Sequence, residues 1–104
     1  MQITHKRIDD KIVIFIEGEL GNHEAKQILS YQENIVSLYI DAPIVLNLSG
    51  LTFMDSSGLA VVVNLSRALE RTGRSLTVEG TPQNAMKIFK AAGLNKKIEF
   101  IDGV

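Results

Sequence analysis

The chain has 104 residues, of which 45% are hydrophobic and 22% are charged, and this is enough for one domain with a single hydrophobic core. Its 11 basic and 12 acidic residues leave a formal charge of −1, so no overall field attracts nucleic acid or an anionic membrane, and we expect no direct nucleic-acid partner. The absence of cysteine excludes disulfides, thiol catalysis and zinc–thiolate sites. Without a signal-peptide pattern or an apolar run of about 18 residues, we expect a cytoplasmic protein with no membrane insertion.

The first third of the chain predicts two strands and a helix. Residues 2–8 fit an edge strand, residues 9–10 a turn, and the β-branched and aromatic run 12–16 an interior strand covered on both faces. We expect residues 18–21 to break this strand and Asn22 to cap the helix that follows. The apolar positions of that helix are Ala25, Ile28, Leu29, Ile35, Val36 and Tyr39.

The middle of the chain predicts a strand followed by the clearest helix of the sequence. Gln32 interrupts the apolar stripe of the first helix, and Pro43 ends that helix because proline disfavours helical geometry in the residue before it. A strand at residues 44–48 ends in a turn at 49–50, and the second helix runs from about residue 56 to 71. Its apolar or small positions are Gly58, Val61, Val62, Leu65, Ala68 and Leu69.

The last third predicts a short strand, a third helix and a final strand. Gly73 ends the second helix, and residues 75–79 alternate between polar and apolar as a half-buried strand would. The threonine and proline at residues 81–82 supply an N-cap and a first helical residue. A left-handed glycine stop at residues 93–94 ends the third helix, and residues 98–101 predict the last strand.

The order of these elements indicates the fold class. Alternating strands and helices favour parallel strands joined by right-handed crossovers, whereas the turn at residues 9–10 favours an antiparallel pair at one edge. We therefore predict a single α/β domain with a mixed, mostly parallel sheet of four or five strands and helices packed against it.

The segment that opens the second helix is the clearest candidate site. Asp55 and Ser56 are both good N-cap residues, and the pattern leaves open which of them is the cap. A hydroxyl at a helix N-terminus lies where backbone amides and the helix dipole favour an anion, which makes Ser56 a candidate phosphate acceptor. Gly58 has no Cβ and lets another active site approach closely. The alternative is a capped helix with a purely structural role.

Other chemistry has little support in the residues. The two histidines, His5 and His23, could serve a nucleophilic serine only if the fold brought them to it, and the Gly-x-Ser-x-Gly pattern is absent. The glycine spacing matches neither a Walker loop nor a dinucleotide fingerprint, and the histidines and carboxylates form no metal-binding motif. We therefore expect no catalytic residues, no cofactor and no metal.

The surface beside the candidate acceptor follows from helix geometry. If that serine faces solvent, Leu59, Ala60 and Val63 extend down the same side of the helix and could contact a partner. The alternative is that Leu59 and Val63 only widen the buried stripe. The large apolar neighbours Phe53 and Met54 are either core residues or interface anchors.

Together these segments resemble one known family. The run from Ile44 to Leu59, with its Asp-Ser-Ser-Gly-Leu motif between a strand and a helix, resembles the STAS-domain anti-sigma factor antagonists, in particular the sporulation and general-stress antagonists of Gram-positive bacteria. Residues 18–20 and 92–94 resemble the same family in the same order. The resemblance covers nearly the whole chain and implies one STAS domain over residues 1–104.

The resemblance implies a switch between partners. In the family, the unphosphorylated antagonist binds an anti-sigma factor of the histidine-kinase-like ATPase fold and frees the sigma factor. The anti-sigma factor is also a serine kinase that phosphorylates the antagonist and breaks the complex, and a metal-dependent phosphatase of the PP2C type reverses this step. A phosphate would add about −1.5 to −2 charges to a surface that loses its water on binding. This protein would then be the substrate of a kinase, with no active site of its own.

The resemblance also assigns site residues. Ser56 matches the phosphoacceptor, and the neighbouring Ser57 is the second candidate. Glu19 and the turn to His23 match a second loop beside the partner surface, although the family often has an acidic residue where Gly21 stands. The expected partner-binding residues are Glu19, His23, Met54, Asp55, Ser57, Gly58, Leu59, Ala60 and Val63.

Two other functions remain open on the sequence. Some STAS domains are scaffold subunits of transporters or signalling complexes, and these keep a similar loop without a phosphorylation cycle. A small-ligand sensor is the third function, and it predicts a melting temperature that rises with ligand.

Overall fold

Five strands and three helices make up the part of the chain that this computed structural model describes, residues 1–101, and they follow the predicted order. The strands are β1 (Gln2–Ile8), β2 (Lys11–Leu20), β3 (Ile44–Met54), β4 (Leu76–Glu79) and β5 (Glu99–Ile101). The helices are α1 (Asn22–Leu38), α2 (Ser57–Glu70) and α3 (Gln83–Ala91), and a short 3₁₀ turn (Leu94–Lys96) precedes β5. None of these helices combines the length and apolar character needed to cross a bilayer. The last three residues of the predicted domain lie outside the described residues.

The strands form one sheet in the spatial order β1-β2-β3-β4-β5. β1 is antiparallel to β2, and all other neighbours are parallel. The antiparallel pair closes at Asp9, whose backbone is left-handed with φ of 58°. The predicted mixed, mostly parallel sheet is confirmed. Each crossover helix connects a strand to its next neighbour on the same side. Because such connections are right-handed, all three helices lie on the same face of the sheet.

The hydrophobic core occupies that one face. Alternate residues of β2, from Ile12 to Ile16, join the buried residues of the helices in one cluster. Val13 and Val45 point to the other face and are also buried, but they lie outside this cluster, and Phe15 is only half-buried. The prediction that β2 is covered on both faces therefore holds at Val13, whereas Phe15 is only half-buried.

β2 and β3 are both longer than the sequence predicts. The predicted break at residues 18–21 and turn at 49–50 are wrong, because the parallel ladder between the two strands continues to the pair Leu20↔Met54. Two register shifts interrupt it, and Gly18 takes a φ of 94° beside one of them. A Cβ on Gly50 would lie 2.7 Å from Cγ of Glu17. These glycines therefore permit irregular pairing and close approach within the strands.

Two helix starts also differ from prediction by one residue. The N-cap of α1 is Gly21, not Asn22, and its amide donates to Oε1 of Glu24 at 2.9 Å. The N-cap of α3 is Pro82, whose ψ of 152° is extended, so this proline is not the first helical residue. The hydroxyl of Thr81, the predicted cap, has no hydrogen-bond partner within residues 1–101. The predicted left-handed stops at Gly73 and Gly93 are confirmed.

The C-terminal end of α1 is held by a side chain from far along the chain. The guanidinium of Arg74 donates to the backbone oxygens of Tyr39 at 2.6 Å, Ala42 at 2.9 Å and Val36 at 3.2 Å. The carbonyls of Val36 and Tyr39 lie at the negative end of α1, where they lack intrahelical partners, and that of Ala42 lies in the loop to β3. Arg74 therefore fixes the end of α1 against the start of β4.

Candidate functional site

Two loops meet at the carboxyl edge of the sheet, and the candidate site lies where they touch. One loop joins β2 to α1 through Gly21, and the other joins β3 to α2 through Asp55. The amide of Asp55 donates to the carbonyl of Leu20 at 3.3 Å, which ties the second loop to the end of β2. A Cβ built on Gly21 would lie 3.5 Å from Oδ2 of Asp55 and 4.0 Å from the ring of Phe53. The two loops therefore form one continuous surface.

The sequence leaves open whether Asp55 or Ser56 caps α2, and the structure shows that the cap is Asp55. Its Oδ1 accepts the amide of Ser57 at 2.8 Å, and its carbonyl accepts the amide of Gly58 at 3.1 Å. Ser56 already has helical angles, with φ of −63° and ψ of −13°, and its side chain makes no capping bond. A carboxylate that accepts an amide two residues on is the usual N-cap arrangement. Physically the helix therefore starts after Asp55.

Because Asp55 supplies the cap, the hydroxyl of Ser56 is available. Ser56 is exposed, and within residues 1–101 its side chain has no hydrogen-bond partner that would hold it back. It lies at the positive end of α2, where the dipole and the first-turn amides tolerate an added anion. Ser57 is half-buried, and its amide is already engaged by the cap. Ser56 is thus the more accessible of the two predicted acceptors.

Gly58 and Met54 lie beneath this surface. Both are buried, and a Cβ on Gly58 would come within 2.6 Å of Cγ of Met54. The absence of a side chain at Gly58 therefore lets the first turn of α2 pack onto the methionine. This corrects the expected place of Met54 and Gly58 on the partner surface, because only 4% of the area of Met54 is exposed and Gly58 is buried as well.

The other predicted partner-binding residues do reach the surface, to different degrees. Leu59 and Val63 are half-buried and pack against the core cluster, so they widen the buried stripe and also present part of their area to solvent. Asp55 and Ser57 are likewise half-buried at the start of the helix. The exposed members of the set are Glu19, His23 and Ala60.

Phe53 is a surface residue that sequence reasoning did not separate from Met54. It is 47% exposed and pairs in register with Glu19 across the β2–β3 ladder. The signal was the strand period: if β3 continues to Met54 and that side chain points inward, its neighbour Phe53 must point outward. An apolar ring with this exposure lies directly beside the loop that carries Ser56.

The described residues give Ser56 no catalytic partner. His5 lies between Tyr31, in α1, and Tyr39, the C-cap of the same helix. Its Nδ1 is 2.5 Å from the hydroxyl of Tyr31, and its Nε2 is 3.4 Å from the hydroxyl of Tyr39. Neither His5 nor His23 is hydrogen-bonded to Ser56. Within residues 1–101 no group of three or more histidine or acidic side chains is arranged to hold a metal ion. Within the described residues, neither histidine is therefore placed to act as a general base for this hydroxyl.

Comparison with known proteins identifies the family. The sequence profile of the STAS domain matches residues 2–104. This chain belongs to the STAS domain family. A protein of Lysinibacillus sphaericus named anti-sigma F factor antagonist is 35% identical over 86 residues, which cover 82% of this STAS domain and 73% of the relative. A protein of Listeria monocytogenes named anti-sigma-B factor antagonist is 31% identical over 100 residues, which cover 90% of this chain and 82% of the relative.

Solved structures agree with the fold of this STAS domain. The anti-sigma factor antagonist SpoIIAA in its unphosphorylated form is 23% identical, with a TM-score of 0.76 over 99% of this chain and 90% of that one. The phosphorylated form of the Bacillus cell fate determinant SpoIIAA is 25% identical, with a TM-score of 0.78 over 99% of this chain and 92% of that one. The resemblance carried by the Asp-Ser-Ser-Gly-Leu run is thus confirmed. The two scores are alike, so the likeness of the fold does not distinguish the phosphorylated form from the unphosphorylated one.

Proposed function

We propose that this STAS domain is an anti-sigma factor antagonist controlled by phosphorylation of Ser56. In its unphosphorylated form it binds an anti-sigma factor that is also a serine kinase of the histidine-kinase-like ATPase fold, and the sigma factor is released. Phosphorylation ends this binding. The names of the relatives support the class of partner. The observation that carries the proposal is the hydroxyl of Ser56 at the start of α2, which is exposed and has no hydrogen-bond partner among residues 1–101 because Asp55 makes the cap.

The surface around Ser56 suits a protein partner. Phe53, near the end of β3, supplies an exposed aromatic ring. Leu59 and Val63 supply partly exposed apolar area along α2, the helix that follows Ser56. Aromatic residues surrounded by a polar rim are enriched among the residues that dominate binding energy. Glu19 and His23, on the adjoining loop, provide such a rim. We therefore place Phe53 at the centre of the interface, in addition to the residues that the sequence predicts.

The proposed reaction is a transfer from the partner's nucleotide. The hydroxyl oxygen of Ser56 attacks the γ-phosphorus of ATP in the kinase, its proton passes to a base of the kinase, and ADP leaves. This protein contributes the acceptor and the surface that positions it. A phosphatase of the PP2C type then hydrolyses the phosphate ester with water and restores the hydroxyl.

Charge explains why the modification would break the complex. The phosphate adds about −1.5 to −2 charges beside the carboxylate of Asp55, in a surface that must lose water when a partner binds. The dipole of α2 stabilises this charge in the free protein by roughly 0.3–1 kcal/mol. In the complex the same charge would face the phosphates of the kinase's own nucleotide, and like charges that are buried together cost several times more. The phosphorylated form is therefore stable when free and disfavoured when bound.

The test combines phosphosite mapping with a binding measurement. The full chain is incubated with ATP and each histidine-kinase-like ATPase from the same genome, and the intact mass, the modified residue and the affinity for the kinase are measured. We expect one phosphate on Ser56 and loss of binding. Ser56→Ala should bind without being modified, and Ser57→Ala is the matched control that should be phosphorylated and released like the wild type.

Two results would contradict the proposal. If Ser56→Ala were phosphorylated and released like the wild type, Ser56 would not be the switch. If no candidate kinase modified the protein, and it instead formed a stable complex with a transporter subunit that ATP did not disturb, the scaffold function would replace the proposed one.

A further inference from the structure

One peptide unit joins the two loops of the candidate site. Its carbonyl, from Leu20, accepts the amide of Asp55 at 3.3 Å. The amide on the other side of the same peptide bond belongs to Gly21 and donates to Oε1 of Glu24 at 2.9 Å. Because a peptide bond is planar, these two hydrogen bonds fix the orientation of a single rigid group. Glu24 therefore acts, through the backbone, on the residue that caps α2.

The bond from Gly21 to Glu24 is held in place from both sides. The amide of Glu24 donates to the carbonyl of Gly21 at 3.2 Å, so the two residues bond reciprocally at the start of α1. Glu24 is half-buried, which limits the freedom of its side chain. A Cβ on Gly21 would lie 3.3 Å from Oε1 of Glu24, closer than ordinary van der Waals contact. The bare glycine therefore lets the carboxylate close on the amide.

The charge of Glu24 strengthens the anchor of the β3–α2 loop. A carboxylate that accepts an N–H polarises the peptide group, and successive hydrogen bonds in a chain strengthen one another. This chain ends at the amide of Asp55, whose Oδ1 in turn accepts the amide of Ser57 at 2.8 Å. Ser56 lies between the two residues of that last bond. The placement of its hydroxyl therefore depends on a carboxylate that belongs to a different helix.

We propose that Glu24 is a positioning residue for the phosphorylation of Ser56, and this inference rests on the proposed function. By holding the Leu20–Gly21 peptide unit, Glu24 keeps the amide of Asp55 anchored and the first turn of α2 oriented towards a partner. Without that bond the β3–α2 loop can shift, and the hydroxyl then meets the nucleotide of the kinase out of line. A displacement of about 1 Å can cost on the order of 100-fold in rate.

The first measurement needs no kinase. Native-state hydrogen exchange on the full chain compares the amide of Asp55 with that of Leu46, in the interior of β3. We expect Glu24→Ala to speed exchange at Asp55 about tenfold relative to Leu46, through loss of a charge-assisted hydrogen bond. Glu24→Gln keeps an acceptor oxygen and should stay within about twofold of the wild type. Glu33→Ala removes an exposed carboxylate of the same helix and should change nothing at Asp55.

The second measurement is steady-state phosphorylation by the kinase that modifies the wild type. Glu24→Ala should lower kcat by about three- to tenfold and leave the KM for this protein within about twofold, because the exposed side chains that meet the partner are unchanged. Glu24→Gln should restore kcat, and Glu33→Ala should match the wild type. Circular dichroism verifies that each variant is folded at the assay temperature, so that a purely structural loss is recognised.

The assignment is overturned if Glu24→Ala keeps the kcat of the wild type, or if exchange at Asp55 is unchanged in that variant. It is also overturned if Glu24→Gln loses as much as Glu24→Ala, since the charge and not the bond would then matter. If no kinase modifies the wild type, the proposed function fails and the role of Glu24 in phosphorylation fails with it. Faster exchange at Asp55 in Glu24→Ala would still show, in that case, that the two loops are coupled.

Discussion

Replacing Asp55 tests the arrangement on which the availability of Ser56 depends. The bond from the amide of Ser57 to Oδ1 of Asp55 measures 2.8 Å, and losing such a cap costs about 1 kcal/mol, within a range of roughly 0.5–2 kcal/mol. The negative charge at the positive end of α2 contributes a further 0.3–1 kcal/mol or so. Asp55→Ala should therefore lower the free energy of unfolding by about 1–2 kcal/mol. Asp55→Asn keeps an acceptor oxygen and should lose only the smaller part.

The assay is urea denaturation with thermal unfolding as a second measurement. For a domain of this size about 1 kcal/mol corresponds to a fall of roughly 4–8 °C in Tm, which is easily resolved. The m-value should stay constant, because neither variant changes the surface exposed on unfolding. Ser56→Ala is the matched control. Since the hydroxyl of Ser56 makes no capping bond and has no partner in the described part of the chain, the free energy of unfolding of this variant should remain within about 0.5 kcal/mol of the wild type.

One outcome would refute the reasoning. Equal stability of Asp55→Ala and the wild type, with a loss in Ser56→Ala, would make Ser56 the cap and its hydroxyl unavailable. The same variants separate stability from phosphoryl transfer. If Asp55→Asn, which keeps the cap, were phosphorylated more slowly than the wild type at a temperature where both are folded, the carboxylate charge would have a role in orienting the hydroxyl.

Three further substitutions test packing and electrostatics elsewhere. Gly58→Ala should lower the free energy of unfolding by about 1–3 kcal/mol, because its Cβ would overlap Met54. Arg74→Gln should cost about 2 kcal/mol and speed hydrogen exchange at the end of α1, because three carbonyls lose a charged donor. Burial, and then the neighbouring Tyr39, raise the pKa of Tyr31. The stability that the neutral Tyr31 side chain contributes is therefore present below about pH 10, and it is lost as the pH rises through the higher pKa of the folded state. Tyr31→Phe should therefore flatten the fall in the free energy of unfolding at alkaline pH.

Each of these tests has its own control. For Gly58, the double variant with Met54→Ala should cost less than the sum of the single changes, and strict additivity would show that the two residues do not collide. Arg67→Gln removes the same charge as Arg74→Gln without touching the end of α1, and equal losses would contradict the capping role. For Tyr31, identical slopes above pH 10 in the wild type and Tyr31→Phe would contradict a raised pKa.

The order of strands and helices could be predicted from the sequence because it depends on local periodicity. The ends of β2 and β3 could not, because a glycine in a strand pattern signals either a turn or irregular pairing, and the neighbouring strand decides between them. At Gly18 and Gly50 the ladder continued past the glycine. That single difference lengthens both strands and brings their ends to the same edge.

The same uncertainty explains what was missed in the candidate site. The motif located Ser56 and the start of α2, since capping residues and a helical stripe are local signals. Which of Phe53 and Met54 is buried depends on whether β3 continues to these residues. The predicted turn at Gly50 ends the strand too early, so it leaves this question open. The choice of cap depended on side-chain orientation within one turn, which two equally good capping residues in a row do not reveal.

Long-range contacts left almost no trace in the sequence. Arg74 holds carbonyls more than 30 residues earlier, and no pattern around it predicts this. Gln32 did leave a signal, a polar residue within an apolar stripe, but the stripe alone could not show whether the side chain was turned outward or buried. Only the partner helix, through the carbonyl of Val61, decides that.

The placement of the cap also bears on how the proposed switch works. If Ser56 capped α2, phosphorylation would replace one capping group with another and would have to rearrange the first turn. Because Asp55 makes that bond and its own amide is anchored to β2 at Leu20, the side chain of Ser56 makes no capping bond at the start of the helix. A phosphate on Ser56 would then change the charge of the surface and leave the fold in place. The switch would then act on the partner's ability to approach, so shift changes on phosphorylation should remain close to the first turn of α2.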